Sequence, residues 1–170
     1  MLRRLLKLLH EVGAVGVVGA YAACLVLMTK TSTPSLVAYA TMRQDIAAIA
    51  QWLLMPSLAV VLISGLLAIA ATPAYHNAGW AWFKALLGIS LFEGTLLTVI
   101  ATAQQAAALA ASAASGHGDP AKLAEVVHTQ TAGLWTMLAL SFANIVLAVW
   151  RPRLGRRAAG RIGEGVDSTG

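Results

Sequence analysis

Two ionisable residues, Lys84 and Glu93, lie within the apolar stretch over residues 80–104. At about 1.5 Å of rise per residue, a helix over this stretch is roughly 35 Å long and exceeds the ~30 Å hydrocarbon core of a bilayer. A carboxylate at that depth is costly, so Glu93 is expected to face a protein interior, a partner or a water-filled cavity. Glu93 is a candidate for structural pairing with a polar group on another helix and equally for a role in handling protons or ions. Lys84 taken alone is typical of a lysine that extends its ammonium to the headgroups.

A histidine, His10, lies near the start of the first apolar segment, between Lys7 and Glu11. Neutral imidazole is a common protein ligand for metals and for haem iron, so His10 is a candidate axial or metal ligand. The alternative is an interfacial histidine that is hydrogen-bonded to a neighbour. If successive segments cross the membrane in alternating directions, His10 and Lys84 lie near the same surface and at similar depth.

Helical spacing separates some of these groups and aligns others. Lys84 and Glu93 are nine residues apart, which places them on opposite faces of one helix. Glu93 and Gln104 are eleven residues apart and share a face. The spacing therefore predicts that Lys84 does not pair with Glu93, and it makes Glu93 and Gln104 a candidate intramembrane polar path.

The composition excludes a soluble domain of this size. Of the 170 residues, 58% are hydrophobic and only 11% are charged, which leaves too little polar surface for an exterior in water. The net charge of +5 is concentrated beside the first and last apolar runs, at Arg3, Arg4, Lys7, Arg151, Arg153, Arg156, Arg157 and Arg161. This distribution is a topology signal and favours contact with anionic lipid headgroups. No nucleic-acid partner is expected, because no basic face interleaved with aromatic residues is present.

The apolar pattern predicts an all-α fold, a four-helix transmembrane bundle over residues 1–152. The helices are expected at about residues 5–28, 45–71, 80–110 and 121–150, with a polar connection over residues 29–41. Pro56 predicts a kink in the second helix, and Asp119 with Pro120 predicts the start of the fourth. Residues 153–170 are predicted to be a basic, disordered cytoplasmic tail.

The first segment resembles a signal peptide, but His10 and Glu11 interrupt its apolar core, and an uncleaved membrane helix is expected. Its small residues predict a flank for close packing of another helix, within the chain or in a homo-oligomer. These small residues are Gly13, Gly16, Gly19, Ala20 and Ala23. Four spanning helices place both termini on one side, and the basic ends assign that side to the cytoplasm, although Lys30 and Arg43 then lie toward the outside.

Several local motifs carry a resemblance to known membrane proteins. The chain contains the runs His10-Glu-Val-Gly, Arg43-Gln-Asp-Ile, Gly79-Trp-Ala-Trp-Phe-Lys84 and Asn144-Ile-Val-Leu-Ala-Val-Trp-Arg-Pro152. This combination resembles a group of small bacterial four-helix membrane proteins. More distantly, it is similar to HemJ-type protoporphyrinogen oxidases and to CopD-type copper-resistance proteins. The resemblance implies a multi-pass protein of the bacterial cytoplasmic membrane.

The HemJ-type resemblance implies a function for the histidine and the lysine. In those proteins a histidine of the first helix and a lysine of a later helix are essential, and a b-type haem is bound. The matching positions here are His10 and Lys84. The Trp and Arg that the family carries further along the first helix are replaced by residues 19–22, Gly-Ala-Tyr-Ala, a departure that bears on the oxidase activity more than on the fold.

The residues and the resemblance support three functional hypotheses. The first is a haem- or porphyrin-associated redox protein, with His10 as axial ligand, Lys84 as ligand or propionate partner, and Arg43 as a further cofactor-binding group. The second is a component for ion, proton or copper transport that uses Glu93 and Gln104. The third is a non-catalytic membrane scaffold or accessory subunit. Whether the protein is an enzyme stays open.

For copper, the ligands would be Met28, Met42 and His128 near the outer surface, although scattered residues of these types are more typical of packing and capping. Cys24 is the only cysteine, so the chain forms no intrachain disulfide and no Cys-pair metal site.

Overall fold

The computed structural model of the protein describes residues 1–29, 35–73 and 79–150, and its regular structure there is helical throughout. Within these residues the chain forms four long helices: α1 (Leu2–Thr29), α2 (Leu36–Ala70), α3 (Gly79–Ala114) and α4 (Pro120–Trp150). By length and composition, each of the four is apolar enough to cross a bilayer. The predicted all-α fold with four helices of membrane-spanning character is confirmed.

The second helix begins at Leu36, well before the predicted start at about residue 45. The cause is a side-chain cap, because Ser35 Oγ accepts a hydrogen bond from the backbone N–H of Ala38 at 3.1 Å. The predicted polar connection over residues 29–41 is therefore wrong from residue 36 onward. Lys30, the basic residues from Arg151 onward and the predicted tail over residues 153–170 lie outside the described residues.

The turn between α3 and α4 follows the predicted chemistry. Gly116 has a φ of +84°, in the left-handed region that glycine adopts without strain. Asp119 then caps α4, because its Oδ1 accepts hydrogen bonds from the N–H groups of Ala121 at 3.0 Å and Lys122 at 3.2 Å. The predicted N-cap at Asp119 is confirmed.

Two π-helical turns interrupt the longest helices at matching positions. Ala50–Leu54 forms such a turn in α2, Leu96–Ile100 forms one in α3, and the two turns contact each other. In α2 the wide turn ends immediately before Met55-Pro56, and the N–H of Met55 bonds to the carbonyl of Ala50. Where the sequence predicts a proline kink, the helix widens just ahead of the proline, which lacks an N–H to donate.

Glycines on α1 allow that helix to pack closely on α2. A Cβ atom at Gly13 would lie 2.8 Å from Val61 Cγ2 and 3.1 Å from the Ser57 carbonyl oxygen. Gly16 faces the Ser57 side chain at similarly close range, whereas a Cβ at Gly19 would meet nothing within 4 Å. The predicted small-residue flank is thus used inside the chain at Gly13 and Gly16, and Gly19 is exposed.

The outside of the bundle is apolar, and its interior holds most of the polar contacts between helices. Large hydrophobic side chains point outward along the helices, with exposed fractions of 80% for Trp52, 71% for Leu97 and 67% for Phe142. Tyr21 and Cys24 are completely buried in the apolar core. An apolar exterior of this kind suits a surrounding of lipid tails.

The glycine contacts yield a matched pair of substitutions on α1. Gly13→Ala should lower the free energy of unfolding by about 1–3 kcal/mol, because the added methyl group meets the backbone of α2. Gly19→Ala should leave stability unchanged or raise it by less than about 1 kcal/mol, since alanine favours the helix and has open space. Thermal unfolding in neutral detergent checks both, and equal effects of the two substitutions would contradict this packing.

Candidate functional site

His10 is held by α2 in a defined orientation. Its Nδ1 lies 3.0 Å from the carbonyl oxygen of Val61 and 3.3 Å from Ser64 Oγ. Because a carbonyl only accepts, Nδ1 carries the proton and donates it, and the lone pair is then on Nε2. The Ser64 hydroxyl donates in turn to the Val60 carbonyl at 2.5 Å. A backbone carbonyl on Nδ1 is the usual support of a histidine that ligates a metal through Nε2.

The absence of a side chain at Gly65 lets α2 approach the imidazole ring. A Cβ there would lie 3.3 Å from Cε1 of His10 and 3.4 Å from its Nδ1. The imidazole of His10 is half-buried, and its Nε2 makes no hydrogen bond within the described residues. The ring is therefore fixed on one edge by α2 and keeps one nitrogen for another partner.

Lys84 lies at the same end of the bundle, as the sequence predicts. It is half-buried on the first half of α3, close enough to His10 for the two side chains to interact electrostatically. Arg3 marks this end of the bundle, because its Nη2 donates to the Ala71 carbonyl at 3.2 Å and so joins the start of α1 to the end of α2. The structure places His10 and Lys84 at the same end of the bundle.

Arg43 belongs to the other half of the bundle. It is 1% exposed, it lies near Cys24 and Tyr39, and its Nη2 donates to Oε1 of Gln130 on α4. Cys24 follows His10 by 14 positions on α1, which is about 21 Å of helical rise. Arg43 is consequently not part of the His10 site.

Glu93 lies on the outside of the four-helix unit. Its side chain is exposed, and it shares that outer face of α3 with the exposed residues Ile89 and Leu97. Gln104 is also exposed, and its Nε2 donates to Oε1 of Gln51 on α2 at 2.9 Å. The structure leaves Glu93 and Gln104 on the surface, so a single chain does not enclose them as an internal path.

The residues considered for copper lie in different environments. Met28 and Met42 pack against the apolar core, and His128 is exposed at the beginning of α4. Among residues 1–29, 35–73 and 79–150, no three or more histidine, cysteine, aspartate or glutamate side chains are grouped to hold a metal ion. His10 as a metal ligand therefore depends on a cofactor that brings donors of its own.

Comparison with models of known protein families, with curated proteins and with solved structures gave no match for this chain.

Two polar contacts between helices were not predicted from the sequence. Tyr21 Oη lies 2.5 Å from Thr95 Oγ1, and both residues are completely buried between α1 and α3. Gln130, also completely buried, meets Arg43 between α2 and α4. The signal for Gln130 was the polar run over residues 128–131 inside an otherwise apolar helix. Tyr21 and Thr95 have no comparable signal, because amphipathic side chains are common in such helices.

The His10 geometry predicts the tautomer of its ring. Nitrogen-15 NMR of the histidine side chains in detergent should show Nδ1 protonated and Nε2 carrying the lone pair, because the Val61 carbonyl accepts from Nδ1. Ser64→Ala should keep this tautomer, since the carbonyl remains. The exposed His117 provides the reference for a ring in water. An Nε2-protonated His10 would contradict the arrangement.

Proposed function

We propose that the protein is a multi-pass integral membrane protein of the bacterial cytoplasmic membrane with both termini in the cytoplasm. Four helices of spanning length support the multi-pass arrangement, because an even number of crossings returns the chain to its starting side. The cytoplasmic assignment is supported by Arg3, Arg4 and Lys7 before the first helix and by the arginines after the fourth. The bacterial assignment is supported by the resemblance of the local motifs.

Within this membrane protein, the function that the residues support best is that of a b-type haem- or porphyrin-binding redox protein. The observation that carries the proposal is the orientation of His10, with Nδ1 bound to the Val61 carbonyl and Nε2 left with its lone pair. Lys84 at the same end of the bundle is the candidate second ligand or partner of a propionate. Arg43 is left out of this site because of its distance along the bundle.

The donor set fits a haem better than a bare metal ion. A porphyrin supplies four nitrogen donors to its iron, so the protein needs to contribute only one or two axial ligands. His10 on α1 and Lys84 on α3 are two such donors, and the described residues hold no group of three or more histidine, cysteine, aspartate or glutamate side chains that could hold a metal ion. When bound, haem would supply one-electron chemistry, and this chain's part is to hold His10 with Nδ1 on the Val61 carbonyl and Nε2 available.

The haem proposal is tested by absorbance spectra of detergent-purified protein from haem-supplemented cells, oxidised and after dithionite reduction. The expected result is a b-type spectrum that is lost in His10→Ala and kept in His117→Ala. His117 is the matched control because it is an exposed histidine in the turn between α3 and α4. Protein without a Soret band, or a spectrum unchanged in His10→Ala, would refute the proposal.

A second candidate function rests on Glu93. A carboxylate well inside a spanning helix is costly against lipid, so its exposed position favours contact with a second helix from another copy or from a partner protein. An accessory or scaffold subunit needs only that contact. A transport component would need, in addition, a polar path along Glu93 and Gln104 that the neighbouring chain completes.

Glu93→Gln separates these alternatives. In the scaffold case, light scattering of the detergent-solubilised protein should show weaker self-association than wild type, with proton flux in liposomes unchanged. In the transport case, flux should fall at least about tenfold, because the titrating group is gone. Glu11→Gln is the control, since Glu11 is an exposed carboxylate paired with Lys7 at 3.7 Å near the end of the bundle. Unchanged flux would reject the transport role, and unchanged association would reject contact with another copy through Glu93.

A further inference from the structure

Arg43 is a buried cation without an anionic partner within the described residues. Its side chain is 1% exposed, and no ion pair joins it to a carboxylate among residues 1–29, 35–73 and 79–150. The nearest carboxylate along α2, Asp45, is exposed. Arginine stays protonated under physiological conditions, and a buried charge is tolerated only when it is paired and hydrogen-bonded. The site therefore lacks a negative charge.

The hydrogen bonds of Arg43 and Gln130 also indicate that an anionic group is missing. Gln130 is completely buried, and its Oε1 accepts from Arg43 Nη2. This contact leaves two buried nitrogens without a partner, Nε of Arg43 and Nε2 of Gln130. Both atoms are N–H donors, so the group that completes the site must be an acceptor. A carboxylate or phosphate oxygen supplies both the acceptor and the negative charge.

An apolar groove begins one helical turn from this donor pair. It has a volume of about 670 Å³ and lies between the first turns of α2 and α4 and the last turn of α3. Its lining includes Tyr39, four residues before Arg43 on α2, and Val127, three residues before Gln130 on α4. Residues three or four apart share a helix face, so Tyr39 and Val127 lie about one turn from Arg43 and Gln130, which do not themselves line the groove.

The rest of the groove is mainly hydrocarbon. Apolar lining residues come from all three helices: Leu36, Ala113, Leu123 and Ala124. An apolar groove about one helical turn from two unsatisfied donors and a cation matches a molecule with an apolar tail and an anionic head. Such a molecule can enter from the lipid around the bundle.

We propose that Arg43 and Gln130 bind the carboxylate or phosphate headgroup of a membrane amphiphile whose tail occupies the groove lined by Tyr39 and Val127. The anion accepts from Arg43 Nε and Gln130 Nε2 and neutralises the guanidinium. This site is independent of the haem proposal, because it lies about 21 Å from His10 along the bundle.

The test is native mass spectrometry of the full-length protein in dodecyl maltoside, a neutral detergent, with three probes. Oleate presents a carboxylate, phosphatidylglycerol presents a phosphate, and oleyl alcohol presents an uncharged head. At least one of the two acids should bind at least about tenfold more tightly than the alcohol, and the tighter of the two identifies the headgroup. Binding of both acids with no more than the affinity of oleyl alcohol would overturn the proposal.

Two substitutions and a control assign the binding to the site. Arg43→Gln should remove the preference for the anionic head, whereas Arg4→Gln should keep it, because Arg4 is an exposed arginine at the opposite end. Persistence of the preference in Arg43→Gln would overturn the assignment.

Gln130→Glu provides a second test that does not depend on removing the arginine. The new carboxylate faces Arg43 directly and replaces the bound anion with a group of the protein. This variant should unfold at a higher temperature than ligand-free wild type and lose at least about tenfold in affinity for the preferred acid. Wild-type affinity in Gln130→Glu would contradict the proposed position of the anion.

Discussion

Polar groups inside a bilayer must find their partners within the protein, because hydrocarbon offers none. Most hydroxyl groups of this chain meet that demand locally, by donating to a carbonyl of the preceding turn, as Thr98 does to Gly94 at 2.7 Å and Thr131 does to Val127 at 2.7 Å. Such bonds do not link one helix to another. The bundle is therefore joined mainly by apolar packing. In only a few places does a polar side chain bond to a different helix.

Two of these contacts lie toward opposite ends of the bundle. At one end, α2 fixes His10 through the Val61 carbonyl, and Lys84 comes within electrostatic reach. At the other end, Arg43 and Gln130 meet in the interior with donors left over. One end thus presents a lone pair on a nitrogen and the other presents N–H groups and a positive charge. Opposite chemistry at the two ends suits two different ligands better than one that spans both.

Glu93 differs from these interior groups, because the four-helix unit leaves it on its outer face among exposed apolar side chains. A neighbouring π-turn over Leu96–Ile100 disturbs the regular spacing of the same helix. The extra residue in such a turn rotates the second half of the helix relative to the first, so the predicted shared face of Glu93 and Gln104 does not carry across it unchanged. In the structure Gln104 bonds to Gln51, while Glu93 faces outward.

The sequence by itself determined the fold class, the four spanning helices and the Asp119 cap, because apolar length and capping are local properties. It also placed His10 and Lys84 at one end, since alternating crossings set depth. Only the tertiary structure decided which helix faces meet, because rotation about each axis depends on close contacts such as Gly13 against Val61. That rotation buried Arg43 against Gln130 and left Glu93 outside, two outcomes that residue type and depth alone do not distinguish.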